Sequence, residues 1–146
     1  MPVFKSEAKV ELELIGEEDL KIRFNSKTMD DLIIRRSRVS LEEMGAEARM
    51  LLAAALAECM CSTLLFLLKW ANVEFEEFRA VAEAVTAKDE MGRLCVDSIN
   101  LKIHLDIPKD EDTMKKFKRV ENLFKRGCLM SRSLERGIKV NYSLTT

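Results

Sequence analysis

The chain has 146 residues, 47% of them hydrophobic; that suffices for a real core but not for two independent ones, so one domain over residues 1–146 is expected. Its 24 Lys and Arg nearly cancel 25 Asp and Glu, so no field of one sign invites nucleic acid or an anionic membrane surface. The opening "MPVFKSEAKVELELIG" breaks every short apolar cluster with a charge, unlike a secretory signal, and places the protein in the cytoplasm.

Four cysteines in a reducing compartment are more often inert, catalytic or metal-binding than joined in structural disulfides. Glutamine is absent and Lys and Glu are abundant, a bias of hyperthermophile proteins that points to a thermophilic source.

Taken in order, Val10, Leu12 and Leu14 alternate with charged residues up to Gly16, and Leu20, Ile22 and Phe24 alternate again after "GEED". This is the pattern of two half-buried strands joined by a tight turn. A third short strand fits "DLIIRR". Ser40 and Glu43 form a capping-box pair, with Val39 and Met44 placed as a hydrophobic staple, so a helix is predicted from about residue 41, loosened at Gly45, to Trp70.

Within it, "LLAAALAECMCSTLLFLL" is long enough to test as a membrane span. Glu58 near its centre would cost roughly 2–3 kcal/mol in a bilayer, and the rest of the chain is amphipathic, so the run is read as a buried helix of a soluble domain.

"FRAVAEAVTAK" suits helix by its alanines and strand by its Val, Thr and Phe; the hairpin turn signal of "DEMG" decides for strand. From Arg93 to Ile107 the alternation puts Cys95, Ile99, Leu101, Ile103, Leu105 and Ile107 on one face, with Asp97 marking a bulge. "PKDEDTMKKFKRVENLFKRG" reads as a second amphipathic helix, with acids first, bases last and Gly127 as its stop. "GIKVNYSL" reads as a final strand. Strand clusters alternating with helices give an α+β fold class.

Cys59 and Cys61 lie two residues apart on a helix and point about 200° apart, so at most one lines a given site. Cys59 shares a face with Ala55, Ser62 and Thr63, while Cys61 lies with Glu58, Leu64 and Leu65. A nearby carboxylate blunts a thiol, which favours Cys59 as nucleophile, although a boundary error would exchange the two. Cys128, among Lys125, Arg126 and Arg132, has an electropositive setting and is the second reactive candidate. Cys95 reads as a small core residue. Four buried, inert thiols are the plain alternative.

C-x-C with two scattered cysteines does not reproduce zinc spacing, so no metal site is assigned, and His104 reads as exposed. The single histidine excludes a Ser/His/Asp triad, and no glycine-rich phosphate loop or cofactor motif occurs.

"LLAAALAECMCSTL" resembles the first cysteine helix of the OsmC/Ohr thiol peroxidases, and "GCLMSRSLERGIKVNYSL" resembles that family's second cysteine segment with the strand after it. The resemblance implies an intertwined homodimer in which antiparallel sheet wraps two central helices, with the thiols near the dimer interface. It also implies that Cys59 is the peroxidatic cysteine, attacking an organic hydroperoxide to become a sulfenic acid, and that Cys128 resolves it into a disulfide reopened by a dithiol reductant. Met50, Phe66 and Phe124 are candidates for apolar walls favouring alkyl hydroperoxides.

Two positions depart from the family pattern. The "P-E" or "P-x-E" pair expected about ten residues before the first cysteine is replaced by "GAEARM", which puts Arg49 ten residues and Glu47 twelve before Cys59; the usual Pro after the second cysteine is Leu129. Arg49 is one candidate for activating the thiolate, beside Arg23, Arg35, Arg36 and Arg38. On a straight helix it lies about 15 Å from Cys59 and acts only through a bend or a neighbouring subunit. The alternatives are an OsmC-fold binding protein without peroxidase activity, and a thiol carrier of persulfide or disulfide.

Overall fold

The computed structural model describes residues 7–146. Contacts gather the chain into two compact units, Met1–Glu47 and Ala48–Thr146.

In the first unit, strands β1 (Glu11–Ile15), β2 (Asp19–Arg23) and β3 (Leu32–Ile34) form an antiparallel sheet in the order β1-β2-β3. The tight turn expected at "GEED" joins β1 to β2, pairing Leu12 with Ile22 and Leu14 with Leu20. Arg23 ion-pairs with Glu13 across this hairpin. Asp19 accepts the N–H and hydroxyl of Ser37 at 2.9 and 3.0 Å; the Ser37 bonds hold its carboxyl below the ordinary carboxylate range, with Arg35 and Arg38 adding to the effect.

The capping box of Ser40 and Glu43 exists, but it closes a 3-10 turn at Leu41–Glu43 rather than opening the long helix. The chain then bends at Gly45, whose φ of +118 suits a residue without a Cβ. The long helix, α1, is Glu47–Trp70, so its expected start near residue 41 is corrected by more than a turn.

The second unit comprises α1, the hairpin of β4 (Glu76–Lys88) and β5 (Leu94–Asp106), α2 (Glu111–Phe124) and α3 (Leu129–Arg136). Helix α1 is rich in Ala and Leu, strong helix formers. It stops in a Schellman motif: Asn72 takes φ +57, its N–H reaches the Lys69 carbonyl at 3.1 Å, and the Val73 N–H reaches that of Leu68 at 2.9 Å. Val73 and Leu68 then share the buried cluster with Leu64, Ile107 and Val120, against which Phe78, Ile103, Leu105, Phe117 and Phe124 pack. Arg119 of α2 lies over the Trp70 ring, 5.2 Å from its centroid.

By length and composition α1 could cross a membrane. Its buried residues Leu64 and Leu68 instead sit in this core, among side chains of the other elements.

The ambiguous "FRAVAEAVTAK" is strand, and "DEMG" is the hairpin turn: Asp89 accepts the N–H groups of Met91 and Arg93, both at 2.9 Å. The bulge expected at Asp97 is present, since Val85 pairs with Ser98 and Thr86 with Val96, leaving Asp97 extra. An extra residue reverses the alternation beyond it. Val96 therefore joins the face of Ile99, Leu101 and Ile103, while Cys95 turns to the opposite one. Cys95 is exposed and donates weakly to the Ala87 carbonyl at 3.5 Å, which overturns the reading of it as a core residue.

Asp110 caps α2 by accepting the Thr113 N–H at 2.9 Å and its hydroxyl at 2.8 Å. Helix α3 was not expected. The final strand is corrected too: residues 137–146 carry no strand assignment, and their alternating Ile138, Val140, Tyr142 and Leu144 are exposed. A strand needs a partner edge for its backbone groups, and these residues have none assigned within the chain.

Candidate functional site

Helix α2 ends in a turn at Gly127, which takes φ +77 and donates its N–H to the Phe124 carbonyl at 3.0 Å. A Cβ added there would meet the Ser131 hydroxyl at 2.7 Å, so glycine is required by the closeness of the next helix as well as by its backbone angle. Cys128 follows as the N-cap of α3. Its Sγ accepts the Ser131 N–H at 3.4 Å, and the Ser131 hydroxyl accepts the Cys128 N–H at 2.8 Å, a capping box in which a thiol takes the usual hydroxyl's place. Leu129, where the family pattern has Pro, is the first residue of α3; the N–H there has no partner within the helix in any case, so the replacement leaves the helix start intact.

This geometry carries Cys128 onto α1. The thiols of Cys59 and Cys128 come close enough to influence each other's ionisation, as does the Met130 backbone at the start of α3. Burial, the Cys128 side chain and the nearby Glu58 push the Cys59 thiol up. Burial also opposes ionisation of Cys128, but the bonds from Cys59, Ser131 and Met130 prevail and lower it. Cys61 is raised by burial and by Glu58, with no contribution from Cys128.

Close to the pair lies a cavity of about 760 Å³ whose lining includes neighbours of both cysteines but neither cysteine itself. Leu56 and Met60 of α1 bring its wall next to Cys59, Gly127 and Ser131 bring it next to Cys128, and Val96 and Phe124 extend its apolar lining. Phe124 was expected in such a wall. Met50 and Phe66 do not line this cavity and are exposed, which corrects their expected place. Ser131, Val96 and Met60 were missed; Ser131 was visible as the third residue after a helix-capping position, and Val96 becomes visible once the bulge at Asp97 is allowed to reverse the alternation.

Of the residues singled out in the sequence, Cys59 and Cys128 are brought together. Arg49 lies in the first turn of α1, ten residues before Cys59, about 15 Å along the axis, because the bend falls at Gly45 and not between them. On the far part of the hairpin, His104 Nε2 lies 3.2 Å from Asp106 and 3.9 Å from Glu77. These groups are close enough to meet one metal ion, and all are exposed.

The thiol pair on a long helix and a later short helix, in a unit that also holds an antiparallel hairpin, defines a class. A family model described as OsmC-like protein matches residues 41–143, and the chain belongs to this OsmC-like family.

Solved structures agree at the level of fold. The chain is similar to an OsmC-like protein of unknown function from Vibrio cholerae O1 biovar eltor, with TM-score 0.67, 14% identity, and coverage of 88% of this chain and 93% of that one. It is similar to an OsmC-like protein from Mycoplasma pneumoniae, with TM-score 0.65, 13% identity and coverage of 90% and 89%. An OsmC-like hydroperoxide resistance protein from Jannaschia sp. follows at TM-score 0.50, 13% identity and coverage of 94% and 91%. A comparison with curated proteins finds no match.

Proposed function

We propose that this protein is a thiol-dependent peroxidase that reduces organic hydroperoxides in defence against oxidative stress, through the Cys59–Cys128 dithiol. The observation that carries the proposal is that the fold brings Cys59 of α1 and Cys128 at the start of α3 close enough to influence each other, near a largely apolar cavity. Cys59, the less buried of the two, attacks the O–O bond, the alcohol leaves, and the sulfur becomes a sulfenic acid. Cys128 condenses with it to a disulfide, releasing water, and a dithiol reductant reopens the bond. The chemistry needs no cofactor and no metal, and the reduced pair suits a cytoplasmic setting.

A homodimer belongs to the same proposal. Phe66 and the C-terminal Val140, Tyr142 and Leu144 are 69, 79, 87 and 91% exposed in the single chain, and a second copy would cover this apolar surface. Arg49 reaches a Cys59 thiolate only from such a second copy.

The test is turnover of cumene hydroperoxide with dithiothreitol as reductant. Wild type consumes the peroxide and Cys59→Ser does not. Intact thiols that titrate normally but never react would hand the function to the binding-protein reading, and reaction with polysulfide alone to the thiol carrier.

A further inference from the structure

The β4–β5 hairpin gathers a second set of chemically active side chains, away from the thiols. His104 and Asp106 lie two residues apart on β5 and so share one of its faces, both exposed. Ile103 and Leu105 alternate onto the other face, where they pack on the buried cluster. Leu101, which lines the cavity near the thiols, belongs to that inner face as well, so the hairpin itself stands between that cavity and His104.

The third member comes from the other strand. Glu76 pairs with Asp106 and Phe78 with Leu105, which leaves Glu77 as the extra residue of a bulge; it takes φ +20, rare for a residue with a side chain. A bulge re-aims the side chain it carries, and here it brings a β4 carboxylate to the imidazole of β5. Asp106 Oδ1 and Glu77 Oε2 approach the same ring nitrogen, His104 Nε2, at 3.2 and 3.9 Å. One donor atom from each of the three residues lies within 4.8 Å of the others.

These spacings are those of ligands around an ion. Donors held about 2.0–2.1 Å from a tetrahedral zinc stand about 3.3 Å apart. The His104–Asp106 pair already has this separation, and Glu77 closes the remainder by a side-chain rotation that its half-exposed position allows. The other Glu77 oxygen, Oε1, is held by Arg79 Nη1 at 3.2 Å, which orients the carboxylate and leaves Oε2 to the ring, the part an outer partner plays for a metal ligand. Asp106 also lines a cavity of about 720 Å³ together with Glu74 and Glu76, so four carboxylates gather here against the cations of Arg79 and Lys102.

We propose that Glu77, His104 and Asp106 form a binding site for a divalent cation of the zinc class, which joins β4 to β5 where the bulge interrupts their ladder. The imidazole selects the ion: nitrogen suits zinc, nickel and copper, whereas magnesium and calcium take oxygen donors. Three protein donors leave the fourth position to water. The site stands apart from the peroxidase reading, since no step of the thiol cycle uses it.

The experiment uses a probe built into the chain. His104 is the only histidine, so in untagged protein the imidazole ring protons seen by NMR are its own, and zinc taken up by the cysteines leaves them in place. Zinc chloride is titrated into fully reduced wild type, Glu77→Gln and Asp106→Asn, exposed positions where an amide keeps the shape and removes the charge. Wild type shows a saturable shift of the His104 ring at micromolar zinc, reversed by EDTA, and each variant binds at least about tenfold more weakly. A ring unmoved by millimolar zinc overturns the site. So does wild-type affinity in either variant, the behaviour of an isolated surface histidine, or a ring that magnesium chloride moves as zinc does, the behaviour of loose counter-ions around the acids.

Discussion

Cys128 is buried, which by itself opposes ionisation, but its place at the cap of α3 more than offsets that through Ser131, Met130 and Cys59. Cys59 and Cys61 are pushed the other way, by burial first and by Glu58 on the same helix. A lowered thiol ionises earlier as the pH rises, so the first of these three to contribute ultraviolet thiolate absorbance should be Cys128. That early rise is expected to vanish in Cys128→Ser and to move to higher pH in Cys59→Ala, which removes the neighbouring thiol that helps to lower Cys128; an early rise surviving in Cys128→Ser would place the charge elsewhere. Gly127→Ala is a second test at this scale. The added methyl meets the Ser131 hydroxyl at 2.7 Å in a backbone conformation of φ +77, so stability should fall and disulfide formation should slow together, measured by denaturant midpoint and by thiol loss. Neither effect was visible beforehand, because a glycine's neighbours come from the turn that follows it in space.

Elements whose signals are local could be read from the chain. The β1–β2 hairpin, the Asp89 turn, the bulge at Asp97 and α2 each carry their own alternation, cap or stop residue. The failures share a physical cause. Ser40 and Glu43 do form a capping box, but Gly45 interrupts the chain before a helix can extend from it. The alternation of Ile138 to Leu144 is real, but a strand exists only where an edge accepts it. Helix α3, with eight residues, is too short for periodicity to declare it. Two predictions belong here. Leu68 is fully buried in the cluster that joins α1 to Val120 of α2, so Leu68→Ala should lower unfolding stability by roughly 2–5 kcal/mol in a denaturant titration. Asp110 accepts both the Thr113 N–H and its hydroxyl, and its carboxyl is held below the ordinary range chiefly by the Thr113 N–H. Its stabilising effect is therefore present above the unfolded carboxylate's pKa of about 4 and lost as the pH falls through the lower folded value. Asp110→Ala should lower the thermal midpoint at pH 7, and the gap from wild type should close in acid.

In the whole molecule, a family membership resting on residues 41–143 coexists with a single chain whose Phe66, Val140, Tyr142 and Leu144 face outward. Light scattering at micromolar concentration should give the mass of two chains, and Tyr142→Glu with Leu144→Glu should shift it toward one; a wild-type monomer would contradict the assembly. The pairing of Cys59 with Cys128 was legible only through resemblance, since residues so far apart in sequence meet by folding and not by spacing. The most direct test of that pairing as a redox centre is intact mass spectrometry with peptide mapping, on fully reduced protein exposed briefly to cumene hydroperoxide, beside Cys59→Ser, Cys61→Ser and Cys128→Ser. The expected result is a Cys59–Cys128 disulfide in wild type and in Cys61→Ser, a trapped sulfenic acid on Cys59 in Cys128→Ser, and no such oxidation in Cys59→Ser. Thiols left unchanged in wild type, or a disulfide that needs Cys61, would contradict it.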